Sequence, residues 1–381
     1  MMENVYILGG LRSYIGVYNG MYRHVPAERL GADVLQRLVS SCHIPTKDID
    51  SIICGNAVGG GGNSTRLMAL LAGMDETIPS FTIDMQCCSG LQSICTASTA
   101  ITCGQEHVSI VGGFESASTQ PIRSHHPNHP AYTGVHDTYM TAQFVPSCWD
   151  EQIMLKSAEA TASEANISRH DLDTWVLRSH RLAYQAEQAG VLHRVQADIQ
   201  GSTRDEGIRR RINQKFLDRL PCILPEGNVL TAGNTCLTHD GAALLAICSE
   251  SYYKTHACHP IGKIKGFCMT GTNPLRSPMG AVQSIEKLLR QQKMNASDID
   301  VFEVNEAFAV IDELFARAYP NCVERYNILG GALAYGHPYG ATGAMLILHT
   351  LTALQQTEGT LGCCSIAGAG GLGCAVLIER I

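Results

Sequence analysis

The chain has 381 residues, enough for two domains or one large duplicated unit, and its 45% hydrophobic and 17% charged content describes a compact protein with a sizeable core. Its 28 basic and 35 acidic residues give a net charge of −7, which argues against a general nucleic-acid surface but leaves room for a local basic patch facing an anionic small molecule. The 16 cysteines form no C-x-x-C pair, so reduced thiols in a cytoplasmic compartment are expected, and the N-terminal stretch predicts neither a signal peptide nor a membrane-spanning helix.

Val5 to Leu8 reads as a short strand closed by a Gly9-Gly10 turn. Pro26 to Ser41 reads as an amphipathic helix with Leu30, Val34, Leu35 and Leu38 on one face. Ile52-Ile53 is expected as a buried strand ended by Gly55-Asn56. The glycines at 59–62, followed by Asn63-Ser64-Thr65, invite a phosphate-loop reading. No lysine precedes the Ser-Thr and no strand stands directly ahead, so a flexible turn into a helix from Thr65 to Gly73 is preferred. Ile78 to Ile83 is expected as a strand, Leu91 to Ile101 as a buried helix, and His107 to Val111 as a strand ended by Gly112-Gly113.

From about Ser118 the composition turns polar. His125, His126 and His129 stand close enough in sequence to ligate a metal, but two prolines stiffen the segment and no carboxylate or cysteine is close by, so a solvated loop is the preferred reading. Helices are expected from Met154 to Ala165 and from Asp171 to Ala189, the second with an acidic start and a Gly190 stop. Arg204, Arg209, Arg210, Arg211, Lys215 and Arg219 then form the most basic patch of the chain, either a solvated face or a phosphate clamp. Thr231-Ala232-Gly233-Asn234 and the apolar run Ala242 to Cys248 return the chain to the first sheet, so residues 118–228 look like an insertion. Beyond them, strands are expected at Ile261–Phe267, Val301–Val304, Asn327–Leu329, Gly362–Ile366 and Cys374–Glu379, with helices at Met279–Gln292 and Ala341–Leu354. The alternation predicts a layered α/β fold with helix-covered sheets.

Adjacent thiols, Cys87 and Cys88, stand between the strand at Ile78–Ile83 and the helix that follows. A helix N-terminus favours thiolate and can hold an oxyanion, which makes either cysteine a candidate nucleophile; small buried cysteines packing between strand and helix are the alternative. An internal repeat favours the nucleophile. Lys47-Asp48-Ile49-Asp50-Ser51-Ile52 returns 250 positions later as Ser297-Asp298-Ile299-Asp300-Val301-Phe302, each copy after a helical stretch, and the same shift carries Cys87 onto His337. Two halves built alike bring a thiol and an imidazole to corresponding strand ends, as nucleophile and base of one pocket.

Four stretches together resemble the thiolase family along nearly the whole chain. They are Gln86-Cys87-Cys88-Ser89-Gly90-Leu91, Asn305-Glu306-Ala307-Phe308-Ala309, the glycine-rich run from Gly330 through Gly336-His337-Pro338 to Gly343, and Thr231 to Asn234 with Asp240-Gly241-Ala242. The resemblance implies a duplicated five-layer α/β fold: an N-terminal half of residues 1–117 with 229–254, an inserted CoA-binding loop domain at 118–228, and a C-terminal half at 255–381. It implies an acyltransferase of the acetyl-CoA C-acetyltransferase type, acting on acyl-CoA with no permanently bound cofactor and no metal, and assembled as a homodimer or homotetramer. Cys87 would carry the acyl group and His337 would activate it. Asn305 would hold a water that, with the imidazole, polarises the thioester oxygen, and the backbone N–H groups of Cys87 and Ala369 would form the other oxyanion hole. Arg219, with Arg210 and Arg211, would meet the CoA phosphates.

Three positions depart from the family pattern. The closing Cys-x-Gly motif, whose cysteine moves the α-proton in carbon–carbon chemistry, is Ala367-Gly368-Ala369 here, with Cys363 and Cys364 just upstream. The histidine before the methionine of the insertion's first helix is Ile153, and the expected CoA-contacting serine is Cys236. These departures keep two rivals open: a condensing enzyme closer to ketoacyl or hydroxymethylglutaryl synthases, and a catalytically silent subunit completing a partner thiolase.

Overall fold

The computed structural model describes residues 3–146, 152–236, 238–256 and 258–381. In chain order the elements of the first half are β1 (Val5–Ser13), β2 (Gly16–Val17), α1 (Ala27–Ser41), β3 (Ser51–Gly55), α2 (Ser64–Leu71), β4 (Ser80–Ile83), α3 (Ser89–Thr102) and β5 (Val108–Ser116). Then come α4 (Ile153–Glu164), α5 (Arg169–Ala189), β6 (Gln196–Ala197), α6 (Gln214–Leu217), β7 (His239–Ser249) and α7 (Glu250–Thr255). The second half holds β8 (Gly262–Gly271), α8 (Met279–Gln292), β9 (Val301–Val304), α9 (Ala309–Ala318), α10 (Ala332–Tyr335), α11 (Tyr339–Gln356), β10 (Leu361–Gly368) and β11 (Leu372–Arg380).

The main strands follow the order β4-β3-β5-β7-β1-β8-β11-β10-β9. β1 meets β8 only from Val5 to Ile7, a short seam between the two halves. Side chains alternate across each strand, and the alternation defines the layers. Ala243, Leu245 and Ile247 of β7, with Cys374, Val376 and Ile378 of β11, face one shared cluster built around α3 and α11. Ala242, Leu244 and Ala246 face the opposite way, onto α1 and α2. Ala375 and Leu377 face α8 and α9. Helices, sheet, central helices, sheet and helices make five layers, and strands buried on both faces explain the apolar runs of β5, β7 and β11.

The repeat is real in three dimensions. α1, a 3₁₀ turn at Thr46–Asp48 and β3 recur as α8, a 3₁₀ turn at Ala296–Asp298 and β9. Residues 117–238 separate β5 from β7. Within them Ser168 and Asp171 form a reciprocal capping box for α5, and Gly190 ends that helix at φ 64°. β6 pairs with β1, and Trp175 of α5 donates to Glu313 of α9 at 3.0 Å, so this region is tied to both halves. The histidine segment is a largely exposed loop in which His125 pairs with Asp137 at 2.7 Å. Among the described residues no group of three or more His, Cys, Asp or Glu side chains is placed to hold a metal, and no helix is long and apolar enough to cross a membrane.

Three expectations are corrected. Gly9-Gly10 lies inside β1, across a register shift between Ile7 and Gly9. Gly112-Gly113 lies inside β5 for steric reasons: a methyl on Gly113 would fall on the carbonyl oxygens of Gly340 and Gly55. Asn327 to Leu329 is no strand. Asn327 sits at φ 43° and its side chain replaces the strand pairing, accepting from Val304 N at 2.8 Å and donating to Val304 O at 2.9 Å.

Overpacking of backbone against backbone cannot be relieved by side-chain rotation, so Gly113→Ala is expected to cost about 3 kcal/mol, the upper end of the usual range, in urea unfolding. Gly60→Ala, where an added methyl meets nothing within 4 Å, is expected to change stability by less than about 0.5 kcal/mol. Equal effects at the two positions would show that the close approach is not a constraint.

Candidate active site

Cys87 sits in a sharp turn between β4 and α3. Gln86 adopts the left-handed conformation at φ 53°, a strained setting for a non-glycine residue. The turn is braced by Ser89, whose hydroxyl accepts from Met85 N at 2.8 Å and donates to Gln86 O at 2.6 Å. Burial pushes the Cys87 thiol up to about 12, against the opposing pull of the nearby backbone N–H groups of Ala369 and of Cys87 itself. The helix N-terminus therefore does not produce a resting thiolate as the sequence suggests; desolvation of the charge outweighs it.

His337 occupies the matching place in the second half, two residues before α11 as Cys87 is two before α3. Its backbone N–H donates to His239 Nδ1 at 3.2 Å. Nδ1 lies 2.7 Å from Thr342 Oγ1, and that hydroxyl donates to Pro338 O at 2.9 Å. With its own proton committed, the hydroxyl accepts from Nδ1–H, which leaves Nε2 as the lone-pair nitrogen of the ring. Burial, then the neighbouring His239, lower the imidazole to about 3, so it is neutral at rest. Asn305, delivered by β9, places Nδ2 3.2 Å from His337 Nε2. The buried Oδ1 of Asn305 has no hydrogen-bond partner among the described residues.

Two buried carboxylates hold the loops around this pair. Glu115 accepts from Ala57 N at 2.8 Å, Val58 N at 3.2 Å, Gly340 N at 3.0 Å and Asn56 Nδ2 at 2.8 Å, while burial raises its carboxyl to about 7. Glu306 accepts from Ser179 at 2.6 Å, Asn327 Nδ2 at 3.0 Å and Leu333 N at 3.1 Å, fixing the glycine loop that leads to His337.

Cys87, His337, Cys236 and Ala369 line one cavity of about 190 Å³. Tyr339 packs edge-on to the His337 ring at 4.8 Å, and Phe308 forms part of the wall. Residues of the inserted region close the outer side. Met140, Phe144 and Met154 supply apolar surface there, and the guanidinium of Arg123 donates to the carbonyls of Val58 at 3.0 Å, Gly59 at 2.9 Å and Met140 at 2.8 Å.

The other expected site residues lie elsewhere. Arg210, Arg211 and Arg219 are exposed and off the cavity wall, and Arg210 pairs with Glu187 at 3.1 Å. Cys363 and Cys364 are fully buried in β10, also off the wall, and Cys364 meets Thr350 Oγ1 at 2.9 Å. Sequence reasoning passed over Thr342, Tyr339, Arg123 and Glu115. The first two follow His337 closely in one glycine-rich run and were within reach. Arg123 and Glu115 act through contacts distant in sequence and left no local signal.

Comparison with known proteins agrees with this fold. The models of the thiolase N-terminal domain and the thiolase C-terminal domain match residues 5–251 and 258–380. A Staphylococcus aureus (strain COL) protein named "Probable acetyl-CoA acyltransferase" is 32% identical over 100% of both chains. The structure of the Bacillus anthracis acetyl-CoA acetyltransferase superposes with a TM-score of 0.92 at 28% identity, covering 100% of this chain and 99% of that one. Human mitochondrial 3-ketoacyl-CoA thiolase in complex with CoA does so with a TM-score of 0.92 at 28% identity, over 100% and 98%. A duplicated five-layer fold with a thiol and an imidazole at equivalent helix starts defines the class, and the chain belongs to the thiolase family.

Because the resting sulfur is a thiol, alkylation of Cys87 by iodoacetamide, read on the peptide that carries it, is expected to accelerate steadily from about pH 7 to about pH 10. The thiolate fraction keeps growing until the group titrates at about 12. A plateau below about pH 8 would instead show a thiolate at rest.

Proposed function

We propose that this protein is an acyl-CoA acyltransferase that loads Cys87 from acyl-CoA and passes the acyl group to an acceptor. The observation that carries the reading is the shared cavity, with Cys87, His337 and Ala369 all on its wall. His337 Nε2 takes the thiol proton as the sulfur attacks the thioester carbonyl. The N–H groups of Cys87 and Ala369 then stabilise the tetrahedral oxyanion, and the imidazolium returns its proton to departing CoA. In the second half-reaction His337 and a water on Asn305 polarise the thioester oxygen of the acceptor. The unpartnered Oδ1 of Asn305 supports that water-holding role. Cys87 and His337 in one cavity, with Asn305 at 3.2 Å from His337, support an enzyme over a silent subunit, and the family match supports a thiolase over the other condensing enzymes.

The inserted region, 118–228, is the CoA-holding part in this reading. Its Met140, Phe144 and Met154 bound the cavity where the pantetheine arm would enter, and the exposed Arg211 and Arg219 flank α6 as cations offered to the phosphates. The composition supports a cytoplasmic location. The protein assembles as a homodimer through the β4 edge. β4 ends the sheet, and the adjoining Leu67, Leu70, Leu71 and Phe81 are 50%, 46%, 41% and 42% exposed, a patch and an open edge suited to a second copy of themselves.

Incubation with acetyl-CoA is expected to add one acetyl group to the wild type and none to Cys87→Ala, read by intact mass. His337→Ala is expected to slow loading by ~10²–10⁴-fold. Full acyltransferase activity in Cys87→Ala would overturn the assignment.

Sedimentation is expected to show a dimer for the wild type and a monomer for Leu70→Glu/Phe81→Glu. A variant that stays dimeric would move the interface elsewhere.

A further inference from the structure

Breaking a carbon–carbon bond beside a thioester leaves an electron pair on the α-carbon, and that carbon needs a proton. Ala367, at the family's usual source of that proton, has only a methyl group. It is buried in the cluster that also holds Ala307 and Phe308, and it is off the cavity wall. Cys363 shares that cluster but is fully buried in β10, off the wall. Cys88 faces the opposite layer, with its sulfur 3.6 Å from Ile366 O.

Cys236 approaches from the facing segment. Its backbone N–H donates to Ala307 O at 2.9 Å, Thr235 bridges to Phe308 and Thr238 bridges to His337. Thr235 and Cys236 thus meet the asparagine motif and Thr238 the histidine motif, and Cys236 puts a second thiol on the wall that Cys87 lines. The thiol donates to Ala332 O at 3.1 Å, a contact with the α10 loop that leads to His337.

We propose that Cys236 is a catalytic residue, the thiol that carries the proton to and from the α-carbon of the acyl-CoA acceptor. The inference rests on the acyl-enzyme reading above and names the residue that completes it. In the cleavage direction His337 takes the Cys87 S–H proton as the sulfur bonds to C3 of a 3-ketoacyl-CoA, and the C2–C3 bond breaks. Its electron pair goes to C2, which takes the Cys236 S–H proton to give acetyl-CoA. The Cys236 thiolate then takes the proton of incoming CoA–SH, whose sulfur attacks the acyl-Cys87 thioester and releases Cys87, reprotonated by His337. Condensation is the reverse, with the thiolate as base. Burial, then Glu306 and Cys87, hold the Cys236 thiol well above its ordinary range, so it rests in the proton-bearing form that cleavage needs.

The test compares wild type, Cys236→Ala and Cys236→Ser in three readouts: acetyl loading of Cys87, exchange of the acetyl-CoA methyl protons in D₂O, and thiolysis of acetoacetyl-CoA. Both variants are checked for folding by thermal melting. In Cys236→Ala the ratio of α-proton exchange to loading is expected to fall by ~10²-fold or more, with thiolysis falling alongside. Serine, a far weaker acid, is expected to recover little of it. Wild-type protein that loads but exchanges no α-protons would overturn the inference and leave the acyltransferase standing. So would a Cys236→Ala variant that exchanges at the wild-type rate, or one that loses loading and exchange in equal proportion. A wild type that never loads Cys87 would sink the acyl-enzyme reading, and the inference with it.

Discussion

Backbone touches backbone where α3 and α11 begin, and the catalytic pocket exists because of it. A methyl on Gly90 would strike Gly340 O, one on Gly343 would strike Leu91 N, and one on Gly113 would strike Gly340 O. With side chains excluded from the contact, the two helix starts approach more closely than packed side chains permit. Cys87 and His337, each two residues ahead of its helix, are then carried to one cavity. Glu115 closes the arrangement from β5 by holding Gly340 N together with the 57–58 loop.

The same closeness sets the electrostatics. A site packed this tightly shields its groups from water, so burial dominates each shift: the Cys87 thiol rises to about 12, the His337 imidazole falls to about 3, and Glu115 rises to about 7. The resting pair is thiol and imidazole, both uncharged. Charge has to appear during the reaction, and the groups that would meet it are already positioned. They are the backbone N–H groups of Cys87 and Ala369 on the cavity wall, the Nε2 lone pair whose tautomer Thr342 imposes, and the Asn305 amide.

Much of this is legible in the sequence where the signal is local or repeated. Met279–Gln292 and Val301–Val304 form as their patterns predict, and the shift of 250 positions pairs Cys87 with His337 from the residues alone. Glycine pairs mislead wherever glycine serves close approach, as at Gly112-Gly113; a turn and a backbone contact leave the same letters. Asn327 misleads because a side chain supplies pairing that looks like a strand's. The basic patch attracts attention as a charge cluster, yet only the fold shows that Arg210 is paired with Glu187 on the surface. Arg123, which does reach the cavity, stands inconspicuously in a histidine-rich loop.

Duplication explains why two equivalent positions came to hold different chemistry. Each half supplies a strand end, a tight turn and a helix start, and such a scaffold is indifferent to whether the turn carries sulfur or imidazole, since both are small, buried and held by backbone. Residues 234–236 and 238 lie just ahead of β7. Asn234, Thr235 and Cys236 meet Ala307–Ala309, and Thr238 meets His337, so position 236 sits between the two motifs and on the cavity wall. A sequence that loses a thiol at 367 keeps the layers it packs against, because an alanine methyl still fills the β10 side of the cluster. Cys236 brings a thiol to the cavity wall, and its backbone N–H is held by Ala307 O. In the proposed reaction, proton transfer sits on a different element while the glycine contact that unites Cys87 and His337 stays in place.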